Sequence, residues 1–170
     1  MGQDKALLQW QGRTLLEHVA AKVKAAAGSV TVLGDPQKYE GLGLPVIADR
    51  EAGQGPLSGI SAALAADLGE WNLIVACDMP YVEPALLRFL LEEADRRQVD
   101  CLMPLGQPLC AVYHARCLPV VAKALGNGIR KVRQAIEGLV VETVQLDEIL
   151  YFQNLNTPAD IVAARAVISS

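Results

Sequence analysis

The sequence predicts an α/β domain with a mostly parallel sheet and helices packed on both of its faces. Three observations carry this expectation. Short apolar or β-branched runs alternate with longer stretches of helical periodicity, the pattern of strands joined by helical crossovers. The run Leu73-Ile74-Val75-Ala76 is continuously apolar and stops at Cys77-Asp78-Met79-Pro80, as expected of a strand buried on both faces. The two segments flanking Gly106 are too close for a helical crossover, so they form a short antiparallel excursion on the same sheet.

The elements follow in chain order. Thr14-Leu15-Leu16-Glu17 is a capping-box signature, and Val19 and Val23 continue an apolar stripe, so a helix runs from Thr14 to about Ala27. Ser29–Leu33 is a short β-branched strand, and Leu44–Ala48 is another, ending at Asp49. A glycine-rich turn follows, Gly53-Gln54-Gly55-Pro56-Leu57-Ser58-Gly59, with Pro56 suited to the first position of a helix reaching about Leu68. Asn72–Cys77 is the buried strand. Glu83–Gln98 is an amphipathic helix with Leu86, Leu87, Leu90 and Leu91 inward. Cys101–Leu105 and Leu109–His114 are the strands of the excursion. Helices near Cys117–Leu125 and Arg130–Glu137 are split by Gly126-Asn127-Gly128, and Leu139–Leu146 is a valine-rich strand. Pro158 opens a last helix with Ile161, Val162 and Val167 on its apolar face.

With 170 residues, 52% of them hydrophobic and 20% charged, the chain has material for one folded domain with a sizeable core. No repeat, low-complexity stretch or linker divides it. A net charge of −4 argues against a general nucleic-acid surface but leaves room for a small anionic ligand. Cys77, Cys101, Cys110 and Cys117 lack paired metal-ligand spacing, which leaves buried free thiols in a reducing cytoplasm as the simplest account. No apolar stretch reaches transmembrane length, and the polar start Met1-Gly2-Gln3-Asp4-Lys5 is not a signal peptide. Gly2 begins no myristoylation motif, because Ala6 stands where Ser or Thr is required.

Asp78 is the most informative residue. In open α/β sheets ligands bind at the carboxyl ends of strands, where a carboxylate is placed to hold a hard cation such as Mg²⁺. Capping of the turn or of the next helix is the equally weighted alternative.

Five segments in order carry a family resemblance. Met1-Gly2-Gln3-Asp4-Lys5-Ala6-Leu7-Leu8 resembles the end of a signature loop whose fuller form is L-A-G-G-x-S-x-R-M-G-x-D-K. Gly55-Pro56-Leu57-Ser58-Gly59-Ile60 resembles G-P-L-A-G, and Cys77-Asp78-Met79-Pro80-Tyr81 resembles C-D-M-P-F. Pro108-Leu109-Cys110-Ala111-Val112-Tyr113 and Asn154-Leu155-Asn156-Thr157-Pro158 resemble later segments. The chain is thus similar, end to end, to the molybdenum cofactor guanylyltransferases and their close nucleotidyltransferase relatives.

That resemblance implies a three-layer Rossmann-like nucleotidyltransferase domain over residues 1–170. It implies Mg²⁺-dependent transfer of GMP from GTP to the phosphate of molybdopterin in the cytoplasm, with pyrophosphate released. Lys5 would bind the triphosphate and Asp78 the metal. Gly2, Asp49, Gly55, Pro56, Leu57 and Gly59 would line the nucleotide. Arg130, Lys131 and Asn156 would meet the acceptor. Each residue has a plainer alternative: Lys5 as a solvated lysine, Asp49 as the end of a strand, the glycines as packing, Asn156 as a helix cap, and Arg130, Lys131 and Arg133 as a solvated face. A related enzyme using CTP, or a non-catalytic nucleotide-binding partner, stays open, and no oligomeric state is implied. The family's first strand, of ~5 residues, and the L-A-G-G part of the loop have no counterpart here. The sheet is therefore expected to lack a central strand.

Overall fold

A computed structural model describes residues 4–48, 55–146 and 149–168. Its strands are β1 (Gln9–Trp10), β2 (Arg13–Thr14), β3 (Val32–Gly34), β4 (Val46–Ala48), β5 (Trp71–Val75), β6 (Cys101–Pro104), β7 (Cys110–His114) and β8 (Val141–Val144). Its helices are α1 (Leu15–Ala27), α2 (Pro36–Tyr39), α3 (Pro56–Ala65), α4 (Pro84–Arg97), α5 (Leu118–Gly126), α6 (Val132–Ala135) and α7 (Pro158–Ile168). Strand–helix alternation therefore holds.

The main sheet has the order β5-β7-β6-β8. β7 runs against both of its neighbours, β5 and β6, while β6 and β8 are parallel. So β5, β6 and β8 point one way and β7 is the reversed strand of the expected excursion. Period-two alternation sorts the strand side chains onto two faces. Cys101, Met103, Ala111 and Tyr113 join α3, α5 and α6 in one core. Leu102, Cys110, Val112 and Val144 join α4 in a second. A third cluster ties Leu8, Trp10 and Leu15 at the start of the chain to Leu155, Ile161 and Ala164 at its end.

β3 and β4 form a two-stranded parallel sheet separate from the main one. Two features differ from the sequence expectations. β5, read as buried on both faces, is half-buried along its whole length. Among the described residues it is an edge, facing an open cleft of about 610 Å³ whose other wall includes β3. Val162, placed on the inner face of α7, is 68% exposed, and Ala164 fills the inward position instead.

The residues before α1 form a β1–β2 hairpin rather than a plain lead-in. Gln11 and Gly12 both have positive φ, 47° and 82°, the backbone of the tight hairpin turn whose twist matches the strands. The Thr14 cap forms as the sequence indicates. Glu17 N–H donates to Thr14 Oγ1, and the Glu17 carboxylate accepts from the Thr14 backbone at 2.8 Å.

Candidate active site

Three distant parts of the chain meet beyond the carboxyl end of β5. The strand runs out into a turn, and Asp78 is 5% exposed there. The turn is anchored from the other end of the chain, because Leu155 N–H donates to the Asp78 carbonyl at 2.9 Å. That bond draws Asn156 alongside. From the start of the chain comes Lys5, on a 3-10 turn spanning Lys5–Leu7. Lys5 Nζ donates to Asp78 Oδ2 at 2.5 Å and to Asn156 Oδ1 at 3.3 Å.

The electrostatics of this cluster are unbalanced. Asp78 Oδ1 is buried and has no hydrogen-bond partner. Buried polar oxygens are nearly always satisfied, so this carboxylate oxygen has capacity left for a further partner. The Lys5 side chain is 46% exposed, so its ammonium remains open to a second anion. Asp78 Oδ1 and the neighbouring amide oxygen of Asn156 are hard donors, which fits Mg²⁺, a cation held by one or two carboxylates with substrate phosphates completing its shell. No cluster of three His, Cys, Asp or Glu occurs among the described residues, so a cage built from such side chains alone is absent there. Beside Asp78, burial and then the carboxylate's charge push the Cys77 thiol up to about 11, with Lys5 opposing.

The turn carrying Lys5 is itself held. Asp4 Oδ1 accepts the Ala6 N–H at 3.1 Å, and Asp4 Oδ2 accepts the Tyr39 hydroxyl at 2.9 Å. Burial and that bond raise the Tyr39 pKa. Tyr39 lies so close to Gly34 that a Cβ there would come within 2.5 Å of its ring. Asp4 falls on the D of the M-G-x-D-K segment, which the sequence leaves without a role, and Tyr39 does not stand out there. The local signal near Tyr39 is Asp35-Pro36, a cap and first-turn pair for α2.

The other candidates spread more widely. Gly2 and Asp49 lie outside the described residues. Gly55 caps α3 with φ 92° and ψ −178°, a backbone region essentially restricted to glycine, and Pro56 follows at the first helical turn. Leu57 is fully buried in the core, so any contact with a nucleotide would be through its backbone. A Cβ on Gly59 would meet nothing within 4 Å. The start of α7 is capped by Thr157 and Asp160, whose carboxylate accepts the Asn156 and Thr157 N–H groups at 2.9 and 2.8 Å. The Asn156 side chain is thus engaged with Lys5 rather than with the helix. Arg130 Nη1 donates to the Leu125 and Ile129 carbonyls at the end of α5, while Lys131 is exposed.

The lysine–aspartate pair sits beyond a strand's carboxyl end, where α/β sheets bind small ligands. Residues 1–143 match the family described as the MobA-like NTP transferase domain. The chain belongs to that nucleotidyltransferase family. It is 35% identical over 169 residues to a probable molybdenum cofactor guanylyltransferase of Carboxydothermus hydrogenoformans, covering 94% of this chain and 86% of that protein. It is 31% identical over 168 residues to a molybdenum cofactor guanylyltransferase of Pseudomonas putida, covering 92% and 86%. Among solved structures, molybdopterin-guanine dinucleotide biosynthesis protein A of Archaeoglobus fulgidus superposes with a TM-score of 0.83 at 29% identity, over 99% of this chain and 92% of that one. A 2-C-methyl-D-erythritol 4-phosphate cytidylyltransferase of Thermus thermophilus shares the fold, with a TM-score of 0.76 at 24% identity over 98% and 94% of the two chains.

Proposed function

We propose that this protein is a molybdenum cofactor guanylyltransferase, moving GMP from GTP to the terminal phosphate of molybdopterin and releasing pyrophosphate. The observation that carries the reading is the Lys5–Asp78–Asn156 cluster with its orphaned carboxylate oxygen, in a chain similar to guanylyltransferases along its length. An acceptor phosphate oxygen attacks the α-phosphorus of GTP, and the bond from that phosphorus to the β-phosphate bridge oxygen breaks. The attacking oxygen already carries negative charge, so no general base is required. Positioning and neutralisation of charge supply the catalysis.

Lys5 moves from Asp78 to the triphosphate and stabilises the charge that builds on departing pyrophosphate. Asp78, through Oδ1, and Asn156 are the residues that would hold Mg²⁺, which when bound neutralises phosphate charge and orients its oxygens. Gly55, without a side chain, allows the backbone ahead of α3 to approach the nucleotide closely. Gly59 within that helix, and Asp49 and Gly2, complete the proposed nucleotide contacts. Lys131 and Asn156 receive the acceptor's phosphate, with Arg130 beside them.

The test is transfer of label from α-phosphate-labelled GTP, ATP, CTP or UTP to molybdopterin. Transfer from GTP, lost in Lys5→Ala and Asp78→Asn, supports the reading. Equal transfer from CTP, or turnover in Asp78→Asn equal to the parent at limiting Mg²⁺, would sink it.

A further inference from the structure

We propose that Lys22 is a positioning residue for Asp78: its ammonium pins the backbone turn that aims the Asp78 carboxylate at Lys5. This role rests on the guanylyltransferase reading of the site, and Lys22 belongs to none of the segments that resemble the family.

The turn after β5 has few ways to hold itself. Met79 N–H donates to the Ala76 carbonyl at 3.3 Å, a long bond, and Pro80 has no N–H to give. The Asp78 carbonyl is held from the far end of the chain by Leu155 N–H. The Pro80 carbonyl is held by Lys22, whose Nζ donates to it at 2.8 Å and also lies 3.2 Å from Glu83 Oε1. Met79 and Val82 on either side are buried, and a carbonyl in such a setting needs a donor, best a charged one. The Glu83 side chain is 52% exposed, so its ion pair with Lys22 contributes little and the carbonyl bond is the anchor.

Lys22 also links the two halves of the site. α1 begins against the turn that carries Lys5: Leu15 N–H donates to the Leu8 carbonyl at 2.9 Å, and Leu8 N–H to the Lys5 carbonyl at 3.2 Å. Two turns further along the same helix, roughly 10 Å on, Lys22 reaches the turn that carries Asp78. The hairpin ahead of α1 makes a second contact there, Trp10 meeting Tyr81 edge-on with ring centroids 6.0 Å apart. The unit that places Lys5 therefore also braces Asp78, and Lys5 Nζ meets Asp78 Oδ2 between the two anchors. Without the Lys22 bond the Pro80 end of the turn is free to rotate, and the Asp78 carboxylate turns with it. A misplacement on the order of 1 Å is enough to cost about 100-fold in rate when reacting groups must be aligned.

The test compares the parent protein with Lys22→Met, Lys22→Arg, Glu83→Gln and Asp78→Asn. Two quantities are read in each: transfer of α-phosphate label from GTP, and binding of Mn²⁺, a paramagnetic substitute for Mg²⁺ at oxygen donors, in the presence of GTP. Lys22→Met keeps the aliphatic stem and removes the charge. It should lower kcat about tenfold and weaken Mn²⁺ binding several-fold, with little change in the KM for GTP. Lys22→Arg still brings a cationic donor to the carbonyl and should recover most of both, and Glu83→Gln should match the parent. Parental kcat and Mn²⁺ affinity in Lys22→Met overturn the proposal. So does a loss that Lys22→Arg fails to recover or that Glu83→Gln reproduces, since Lys22 would then serve helix packing or the ion pair. Asp78→Asn keeps the two failures apart. Undiminished transfer and Mn²⁺ binding there sink the reading of the site, and the role of Lys22 with it. A defective Asp78→Asn beside a normal Lys22→Met sinks the positioning role alone.

Discussion

Replacing Asp78 by Asn separates stability from binding in a way that a structural aspartate would not. In the free protein the carboxylate is 5% exposed with one oxygen on Lys5 and the other unpartnered. Burying a charge with half of its hydrogen-bonding capacity unused is unfavourable, and a neutral amide of the same shape is easier to bury. Lys5, at 46% exposure, is resolvated readily when it loses its partner, so that loss is worth at most about 1 kcal/mol. The two effects oppose, and Asp78→Asn should unfold in urea within about 1 kcal/mol of the parent, or be slightly more stable. Ligand binding should respond differently. An interaction with a charged group is worth about 1.5–3 kcal/mol, so affinity for GTP with Mg²⁺ should fall roughly 10- to 150-fold. Urea melts paired with calorimetric titration of GTP, with and without Mg²⁺, measure both. A variant destabilised by several kcal/mol whose nucleotide affinity keeps the same Mg²⁺ dependence would refute the reasoning, because Asp78 would then be a turn cap.

Further outcomes follow from other residues. Tyr39→Phe keeps the ring against Gly34 but removes the bond to Asp4, so it should lower the kcat of transfer more than it lowers stability. Equal kcat and KM would free Lys5 from any dependence on that latch. Gly55→Ala forces a side chain into a φ of 92° and should cost about 1–3 kcal/mol in denaturant melts. Thr14→Ala removes the cap of α1 and should cost about 1 kcal/mol, with loss of α1 amide protection as the check. Burial pushes the Cys77 and Cys117 thiols up to about 11 and Cys110 to about 12. The folded protein therefore holds these protons more tightly than the unfolded chain. Stability should be unaffected by them below about pH 8.5 and fall as pH rises from there through about 12, and native Cys110 should resist alkylation at neutral pH.

Much of the fold was legible in the sequence because local signals agreed with global placement. The Thr14–Glu17 box, Pro56 and Pro158 at helix starts, and the apolar run ending at Asp78 all sit where their chemistry puts them. The Lys5–Asp78 pairing was reachable only through the family resemblance, since 73 residues separate the two and no periodicity links them. The β1–β2 hairpin escaped notice because Gln11 is not a usual left-handed turn residue. The role of Asn156 was ambiguous because Asn, Thr and Pro all favour helix starts. The tertiary bond from Leu155 to Asp78 carries its side chain to Lys5, leaving Thr157 and Asp160 as the cap. The half-burial of β5 depends on what lies beside it in the sheet, which hydropathy along one strand does not report.

The most direct test of guanylyl transfer at Lys5 and Asp78 is the fate of α-phosphate label in a reaction of GTP, molybdopterin and Mg²⁺. The reaction should be run with the parent protein beside its Asp78→Asn counterpart. Label should pass to molybdopterin with stoichiometric pyrophosphate, and the Asp78→Asn protein should remain folded yet fail to transfer. Label retained wholly in GTP by the folded parent, or transfer undiminished without the Asp78 carboxylate, would contradict the assignment of this site.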